Sequence, residues 1–466
     1  MRTNPHMHYG HCRHYMSSSA RRFALTVVSS FIVGIAACHS APPPPPPPPV
    51  PLSDSATAAL RWVESHASAF GADDSVATPA ERAEIFALTT GARIIGFSEL
   101  NEGTHEFPYV VRRAVLALAD SGVRGIAIQA SMADAMEIDR YVRGGNGDAR
   151  RLLRTLDNWR WETREMVALV ESIRAWNMAH RDREIGFYGF EIPTAAHAVR
   201  VITTLPDSLT GPALKSWLVQ HYACVAMNEG AHWGLEGRAA DSTFWASCGP
   251  ATTQGLDSIV ALRRRLGSRG ASDLAFAEEM ARLVAHHVSV GLRRMKREDA
   301  NAEHVMFLAN IAGENARLVL WGGDVEMGRL TLDKTTVQTG VPLGQRLGAR
   351  YRAIAFTYGD GVIRTHVPNP NARIGDEPGL STITVTPPQP NTYEDVFRRA
   401  PESAYWLDMR ALPSDLAGAW LKGPRPMRFI TDAYSPLASP TAFQTPIEFP
   451  ANYDAVVFVK KVSAAK

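Results

Sequence analysis

The sequence has few cysteines, and their positions limit the chemistry that thiols can supply. Only four occur in 466 residues, and two of them, Cys12 and Cys38, lie in the N-terminal segment. The other two, Cys224 and Cys248, have no neighbouring ligands at the spacing of a zinc site. We expect Cys224 and Cys248 to form a disulfide in an oxidising compartment, and two separately buried thiols are the alternative.

The sequence also lacks an excess of positive charge and the common nucleotide-binding motifs. Its formal net charge is +2, and because residues 1–37 contain four arginines and no acid, the rest of the chain carries −2. Proteins that bind nucleic acids through phosphates need a basic surface, so we expect no nucleic-acid partner. The chain contains no P-loop, no dinucleotide fingerprint and no G-x-S-x-G elbow. We therefore expect neither an organic cofactor nor a serine-based α/β-hydrolase triad.

One long uncharged run is present, but it is too short to span a membrane. Residues 23–37 carry no charge over 15 positions and follow the basic pair Arg21-Arg22, whereas a membrane helix needs about 20 residues. The run ends in Ile35-Ala36-Ala37-Cys38, which is typical of a bacterial lipoprotein signal. We expect a chain that begins at lipidated Cys38 and works as a membrane-anchored lipoprotein of the cell envelope, facing the periplasm or the exterior. An ordinary signal peptide with an incidental cysteine is the alternative.

Proline is concentrated in one place directly after this signal. Eight consecutive prolines occupy residues 42–49, and such a run favours an extended polyproline II spacer. The sequence therefore predicts a signal peptide with an upstream extension in residues 1–37. A lipidated cysteine and a proline-rich linker follow in residues 38–52, and one folded domain occupies residues 53–466.

The folded part of the chain alternates short apolar runs with amphipathic helical stretches. Strands that alternate with helices indicate an α/β fold with a mostly parallel central sheet and helices on its faces. The stretch between the third and fourth strands is too long for a simple crossover, so we interpret residues 196–312 as an inserted helical subdomain. The segment after the fifth strand is richer in β-structure. The predicted strands cover residues 93–98, 125–128, 185–190, 317–321 and 352–357.

Acidic side chains follow several of these strands. In a parallel sheet, ligands bind at the carboxyl ends of the strands. Crowded carboxylates repel each other there, so some of them must have raised pKa values or be neutralised by arginine or a cation. Either arrangement is typical of a functional site. The acids concerned are Glu99, Glu102, Glu106, Glu191, Asp324, Glu326 and Asp360.

The residues after the first strand resemble the erythromycin esterase family. Residues 94–107 match the family pattern G-E-x-[TN]-H-G-x-x-E-F without gaps, and the resemblance extends over nearly all of the chain from about residue 60. It implies hydrolysis of a macrolide lactone or another ester by a water molecule, with a histidine as general base and acidic partners that orient it. Further matching motifs occur in family order at residues 133–135, 140–144, 186–189, 319–321, 344–347, 356–359 and 423–428.

The sequence departs from the family pattern at the residues that carry this chemistry. The histidine after the first strand is replaced by Glu102, and the acid after the second strand is replaced by Gln129. The two histidines after the fourth strand are replaced by Gly323 and Glu326. A shifted alignment that places His105 at the first histidine position breaks the spacing to the strand. The substitutions therefore predict an active site in which carboxylates replace imidazoles.

The candidate catalytic residues are the family acids and arginine that are kept, together with the replacements and the one nearby histidine. Glu102 could act as the base if burial and neighbouring acids raise its pKa. In a second interpretation the carboxylates hold a divalent metal whose bound water attacks the substrate. In a third, the site only binds a ligand at the cell envelope. The expected partner is a small-molecule ester or lactone, and the candidate residues are Glu99, Glu102, Glu106, Glu326, Arg297 and His105.

Overall fold

The computed structural model describes most of the chain after the proline run. The predicted signal, Cys38 and the prolines lie outside the described residues. Residues 50–466 form one unit by their internal contacts. Among the described residues, no helix has both the length and the apolar character that crossing a membrane requires. The described ranges are 50–73, 76–191, 195–226, 242–330, 338–368 and 379–466.

A nine-stranded, mostly parallel sheet forms the centre of this unit. Its strands are β1 Ser68–Ala69, β2 Ile94–Glu99, β3 Val123–Ser131, β4 Gly186–Glu191, β5 Arg317–Gly323, β6 Tyr351–Val367, β7 Gly379–Val385, β8 Ala404–Asp408 and β11 Ala455–Val462. The order is β1-β8-β11-β6-β2-β5-β3-β4, with β7 paired to β6. The pairs that join β11, β6, β2, β5, β3 and β4 are parallel, whereas β1, β7 and β8 pair in the antiparallel direction. A separate two-stranded sheet contains β9 Arg425–Arg428 and β10 Gln444–Ile447.

Helices cover both faces of the sheet, as the alternating sequence pattern predicts. Six helices precede β4 in the chain: α1 Asp54–His66, α2 Pro79–Thr89, α3 Glu106–Ala119, α4 Met132–Val142, α5 Ala149–Arg154 and α6 Arg164–Ala179. The inserted block contains α7 Ala196–Thr203, α8 Asp207–Ala226, α9 Ser242–Leu266, α10 Ala271–Gly291 and α11 Arg297–Ile311. The remaining helices are α12 Gly340–Leu347, α13 Tyr393–Phe397, α14 Leu416–Lys422 and α15 Phe449–Asn452.

The apolar side chains of the parallel strands divide between two cores, one on each face. All six residues of β2 are buried. Ile94 belongs to one core, whereas Ile95 and Phe97 belong to the other, because successive side chains of a strand point to opposite faces. A strand covered on both sides must be apolar throughout, which is why the sequence shows continuous apolar runs instead of alternation.

The predicted helical insert lies where the sequence places it, and it contains a disulfide. Cys224 of α8 and Cys248 of α9 are bonded, with their Cα atoms 5.9 Å apart. The last helix of the insert, α11, begins at Arg297 and contacts β4. The insert therefore delivers the N-terminal end of α11 to the edge of the sheet where the parallel strands end.

Two predicted elements have different bounds in the structure. The sequence pattern predicts one long helix from Trp161 to His180. Helix α6 begins only at Arg164, because the Thr163 hydroxyl accepts a hydrogen bond from the backbone N–H of Met166 and caps the helix there. Strand β6 continues to Val367 instead of ending at residue 357. Its second half pairs with β7 and alternates buried and partly exposed residues, so it lacks a continuous apolar run.

Candidate active site

The carboxyl ends of β2 and β5 meet at the centre of the sheet. In the parallel register of these strands, Glu99 lies opposite Gly323. The chain that leaves β2 carries Glu102, whose backbone N–H donates to Ile430 O at 2.8 Å. Asn101 fixes the same turn, since its side chain bonds to Thr357 at 3.0 Å and to the backbone N–H of Ile430 at 3.1 Å. Two glutamates are thereby held at the sheet edge.

Glu99 lies beneath this edge, away from bulk solvent. The indole Nε1 of Trp321 donates a hydrogen bond to Glu99 Oε1 at 2.8 Å. Burial, and to a smaller extent the nearby charge of Glu102, raise the pKa of Glu99 to about 8 against the opposing effects of Trp321 and Arg160. At neutral pH, Glu99 is therefore mostly a neutral carboxylic acid that can donate a proton.

Glu102 is also buried, but it is paired with a cation. Its side chain is 2% exposed, and Arg160 Nη1 donates to Glu102 Oε1 at 2.5 Å. The other oxygen, Oε2, has no hydrogen-bond partner among the described residues. Burial raises the pKa of Glu102 to about 7, while Arg160 opposes the rise and Asp432 and Asp324 add to it. Glu102 thus exchanges a proton near neutral pH.

A hydrogen-bonded network extends from Arg160 across the ends of the strands. Arg160 Nη2 and the backbone N–H of Gly323 both donate to Gln129 Oε1, at 3.2 and 2.9 Å. Gln129 Nε2 donates to Glu191 Oε1 at 3.2 Å, and Arg297 Nη2 donates to the same oxygen at 3.0 Å. A carboxylate at position 129 could not donate to Glu191. The amide of Gln129 is therefore the group that joins the Arg160–Glu102 and Arg297–Glu191 pairs.

Gly323 leaves the space that the carboxylate of Glu102 occupies. A Cβ atom at this position would lie 1.6 Å from Glu102 Oε1 and 2.2 Å from Arg160 Nη1, far inside van der Waals contact. A side chain at 323 and the observed Glu102–Arg160 pair therefore exclude each other. The replacements that the sequence pattern predicts at positions 102 and 323 would accordingly act as one set.

Glu326, which replaces the other histidine, occupies a separate buried position. The hydroxyl of Thr339 donates to Glu326 Oε1, and the backbone N–H of Thr339 lies 3.4 Å from the same oxygen. Asn301 of α11 donates to the Thr339 hydroxyl at 3.3 Å. Burial raises the pKa of Glu326 to about 8, and the charge of Glu191 raises it further. Glu326 therefore interacts with the network through Glu191, not through Glu102.

His105 and Glu106, two of the predicted catalytic residues, point away from Glu102. The imidazole Nδ1 of His105 bonds to the carboxylate of Glu165. Glu106 accepts hydrogen bonds from the hydroxyl and the backbone N–H of Ser463, at 2.7 and 3.0 Å. The structure thus brings Glu99, Glu102 and, through Glu191, Glu326 and Arg297 into one region, whereas His105 and Glu106 bond to Glu165 and Ser463 instead of to these residues.

A small cavity lies against the two central glutamates. Its volume is about 20 Å³, and a buried water needs roughly 10–15 Å³ of such space. The cavity therefore has room for about one water molecule. Its walls include Glu99, Glu102, Arg160, Trp159, Trp161, Trp321 and Ala465.

The described carboxylates that could bind a metal are each bonded to a different group. The part of the chain that the structure describes contains no group of three or more His, Cys, Asp or Glu side chains placed to hold a metal ion. The oxygens proposed as ligands are directed at separate donors: Glu99 at Trp321, Glu102 at Arg160 and Glu326 at Thr339. This donor arrangement suits proton transfer better than coordination of a hard cation, which needs six or more convergent oxygens.

Sequence reasoning missed Arg160, the cation on which the site depends. Arg160 precedes α6 in a loop, whereas the acids that the sequence indicates follow the ends of strands. The loop is held over the edge by Arg364, whose Nη1 donates to Trp159 O at 3.2 Å. Trp161 Nε1 also donates to Gln129 O at 3.1 Å. The one available signal was the pair of tryptophans that flanks the arginine.

Comparison with solved structures finds the same fold in proteins of low sequence identity. A Bacillus cereus protein superposes with a TM-score of 0.71 and 17% identity, over 88% of this chain and 98% of that one. A succinoglycan biosynthesis protein gives 0.71 and 16% over the same shares. A mutant of erythromycin esterase EreC in its open conformation gives 0.58 and 16%, over 86% of this chain and 98% of that one.

The sequence itself matches a defined family over most of its length. The profile of the family described as erythromycin esterase covers residues 118–462, well over half of the chain. The match includes Arg160 and Gly323, which line the central cavity, and the neighbouring residues Gln129, Glu191, Arg297 and Glu326. The chain therefore belongs to the erythromycin esterase family of hydrolase-like proteins.

Proposed function

We propose that the protein hydrolyses an ester or a lactone with Glu102 as general base, in place of the histidine of the family pattern. The observation that supports this most directly is the state of the Glu102 carboxylate. One oxygen is paired with Arg160, the other has no partner among the described residues, and the group borders a cavity that accommodates one water. A base is most effective when its pKa is close to the working pH, and the pKa of Glu102 is about 7.

The two neighbouring glutamates suit complementary roles in this reaction. Ionised Glu102 takes a proton from the water while the water oxygen forms a bond to the substrate carbonyl carbon. The carbonyl oxygen becomes negative, and Arg160 is the nearest cation. When the carbon–oxygen ester bond breaks, the leaving alkoxide takes a proton from neutral Glu99 or from Glu102. Two carboxyl groups with separated pKa values are a common arrangement for acid and base in one site.

The test compares hydrolysis by the wild-type protein and by Glu102→Gln, with Glu64→Gln on the exposed face of α1 as the matched control. Aryl esters and a macrolide are offered from pH 5 to 9, with and without EDTA. We expect the wild-type rate to rise through about pH 7, and Glu102→Gln to lose roughly 10²–10⁴-fold in kcat. Glu64→Gln should match the wild type. No turnover under any condition would overturn both hydrolytic interpretations, and loss with EDTA alone would favour a bound metal.

A second candidate function is ligand binding without catalysis at the cell envelope. Glu102 is already neutralised by Arg160, and the central cavity has room for about one water molecule. A larger cavity, about 490 Å³, lies between α4, α7 and the start of α10, within the size range of small-molecule sites. Its walls include Met132, Tyr188 and Phe276. Calorimetric binding of a macrolide that is unaffected by Glu102→Gln, with no turnover, would support this alternative.

The proposed place of action is the cell envelope, with a small-molecule ester or lactone as partner. The support comes from the sequence: an uncharged run before Cys38, and a proline spacer between that cysteine and the folded unit. A lipid anchor at Cys38 would hold the unit at a membrane surface that faces the periplasm or the exterior. The substrate would then be met before it enters the cytoplasm.

A further inference from the structure

Residues 463–466, which we call the tail, lie directly against the loop that carries Glu102. Thr104 and Ala464 form an antiparallel bridge. Ser463 O accepts a hydrogen bond from the backbone N–H of His105 at 2.8 Å, and the N–H of Ala465 donates to Gly103 O at 3.1 Å. Ala465 also lines the cavity at Glu102. The tail is therefore one wall of the site.

Two carboxylates hold the tail in this position. Glu106 accepts from both the hydroxyl and the backbone N–H of Ser463, so its oxygens face the tail and not the cavity. Glu165 accepts from the backbone N–H of Lys466 at 3.3 Å and is also bonded to His105. Glu106 and Glu165 therefore bind the two ends of the same four-residue segment.

The tail also connects the Glu102 loop with the loop that carries Arg160. Lys466 O accepts a hydrogen bond from the backbone N–H of Arg164 at 2.5 Å, and Arg164 begins α6 directly after the Arg160 loop. On the other side, Gly103 O accepts from Arg364 N at 2.9 Å. The backbone of Gly103 has φ +83°, and a Cβ there would lie 1.9 Å from Arg364 O. Little room remains for the Glu102 loop to shift while the tail is bound.

We propose that Glu106, through the tail, is a positioning residue that holds Glu102 against Arg160. This inference rests on the proposed function, because positioning has a catalytic consequence only if Glu102 acts as the base. The physical reason is distance: displacement of a reacting group by about 1 Å can cost roughly 100-fold in rate. Glu106 is one of the acids that the family pattern keeps, and its contacts assign it to the tail instead of to proton transfer.

The experiment compares Glu106→Gln with Glu106→Ala. The amide oxygen of glutamine can still accept both hydrogen bonds from Ser463, but glutamine cannot exchange a proton. Alanine can neither accept these hydrogen bonds nor exchange a proton. We expect Glu106→Ala to lose about 10- to 100-fold in kcat with little change in KM, and Glu106→Gln to stay within about threefold of the wild type. Glu64→Ala on the exposed face of α1 is the matched control, because it removes a glutamate side chain that lies outside the site.

A second readout does not depend on turnover. The titration of Glu102 is followed by infrared difference spectroscopy, with the carboxyl band identified by its loss in Glu102→Gln. The charged groups that face Glu102 are Arg160, Asp324, Asp432 and Glu99. Only Arg160 favours the ionised form, so a loosened Glu102–Arg160 pair should move the titration of Glu102 to higher pH in Glu106→Ala. Simple destabilisation of the fold would lower the melting temperature without moving this titration.

The possible outcomes separate this inference from the proposed function. A Glu106→Gln variant as inactive as Glu106→Ala, with Glu102 titrating normally in both, would mean that Glu106 acts chemically, and the inference would be wrong. An unchanged rate and titration in Glu106→Ala would also overturn it. If the wild type hydrolyses nothing but Glu106→Ala still shifts the Glu102 titration, the positioning role stands and the proposed function fails.

Discussion

A methyl group at position 323 would overlap the carboxylate of Glu102. The Cβ of Gly323→Ala would lie 1.6 Å from Glu102 Oε1, so Glu102 and Arg160 must move apart or the strand must shift. We expect this variant to lose at least about tenfold in kcat and about 1–3 kcal/mol in free energy of unfolding. Esterase assays and urea denaturation measure the two effects.

Gly379→Ala is the control for this substitution. Gly379 also lies in a strand of the sheet, and a Cβ there would meet no atom within 4 Å. It should therefore show near-wild-type kcat and stability. If Gly323→Ala behaved like this control in both assays, the Glu102–Arg160 pair would not need the space that the glycine leaves, and the substitutions would not act as one set.

The buried Glu99 should make the fold less stable at alkaline pH. Its pKa in the folded state is about 8 against an ordinary value of 4.5, so its contribution to stability is fully present below pH 4.5 and is lost as the pH rises towards 8. Glu99→Gln keeps an oxygen that can accept from Trp321 and removes the charge. We expect Glu99→Gln to unfold at a higher urea concentration than the wild type at pH 9. Its free energy of unfolding should be larger by roughly 2 kcal/mol or more. An equal difference at pH 4 and pH 9 would contradict this mechanism.

At the scale of residues, the sequence predicted the acids better than their partners. Glu99 and Glu102 could be found because both follow a strand and match a family pattern. Arg160 could not, because it lies in a loop and its contact with Glu102 joins residues 58 positions apart. The tail contacts of Glu106 were equally hidden, since they span 357 positions. Pairing across such separations depends on the order of the strands, which local patterns do not contain.

At the scale of elements, strands buried on both faces were predictable and half-exposed ones were not. The buried strands β2, β4 and β5 are continuous apolar runs, and their positions were confirmed by the structure. The outer half of β6 alternates buried and partly exposed residues and was predicted to be outside the strand. Yet this half brings Arg364 to Gly103 and Trp159, and so helps to place both loops of the site.

The disulfide between Cys224 and Cys248 links two elements, the helices α8 and α9 of the insert. In the chain-entropy account, linking cysteines 24 residues apart contributes about 3 kcal/mol to stability. We expect the double variant Cys224→Ser/Cys248→Ser to lose about that amount in urea denaturation. The wild type in dithiothreitol should unfold at the same urea concentration as the double variant.

The same double variant should keep its catalytic rate. Neither cysteine contacts Glu102, Arg160 or Gln129 in the described residues, so the insert can lose stability without disturbing the hydrogen bonds at the sheet edge. Its kcat should stay within about twofold of the wild type under conditions in which both proteins are folded. A tenfold loss of kcat would mean that the insert controls the site through contacts beyond Arg297.

At the scale of the whole molecule, the fold concentrates ionisable groups where one parallel sheet ends. Strands β2, β5, β3 and β4 all run in the same direction, so Glu99, Gly323, Gln129 and Glu191 come to one edge although the sequence separates them widely. The family fold thus supplies the place, and we propose that carboxylates act there instead of imidazoles. This is why the class of fold was predictable while the activity needs direct measurement.

The disulfide and the proposed lipid anchor make one joint prediction for the whole chain. Disulfides persist in oxidising compartments, so a chain that is exported through its N-terminal signal should contain the Cys224–Cys248 bond, and a chain without residues 1–49 that stays in the cytoplasm should contain two thiols. Palmitate labelling and alkylation of free thiols measure anchoring and oxidation separately.

We expect palmitate on the full-length protein and on Cys12→Ala, the matched control in the same segment, but not on Cys38→Ala. The shortened chain should carry two alkylated cysteines, whereas the full-length protein should carry none at positions 224 and 248. A label that persists in Cys38→Ala would place lipidation elsewhere. An unlabelled but oxidised full-length protein would support an ordinary signal peptide, and the folded unit would then act free in the periplasm or outside the cell instead of at a membrane surface.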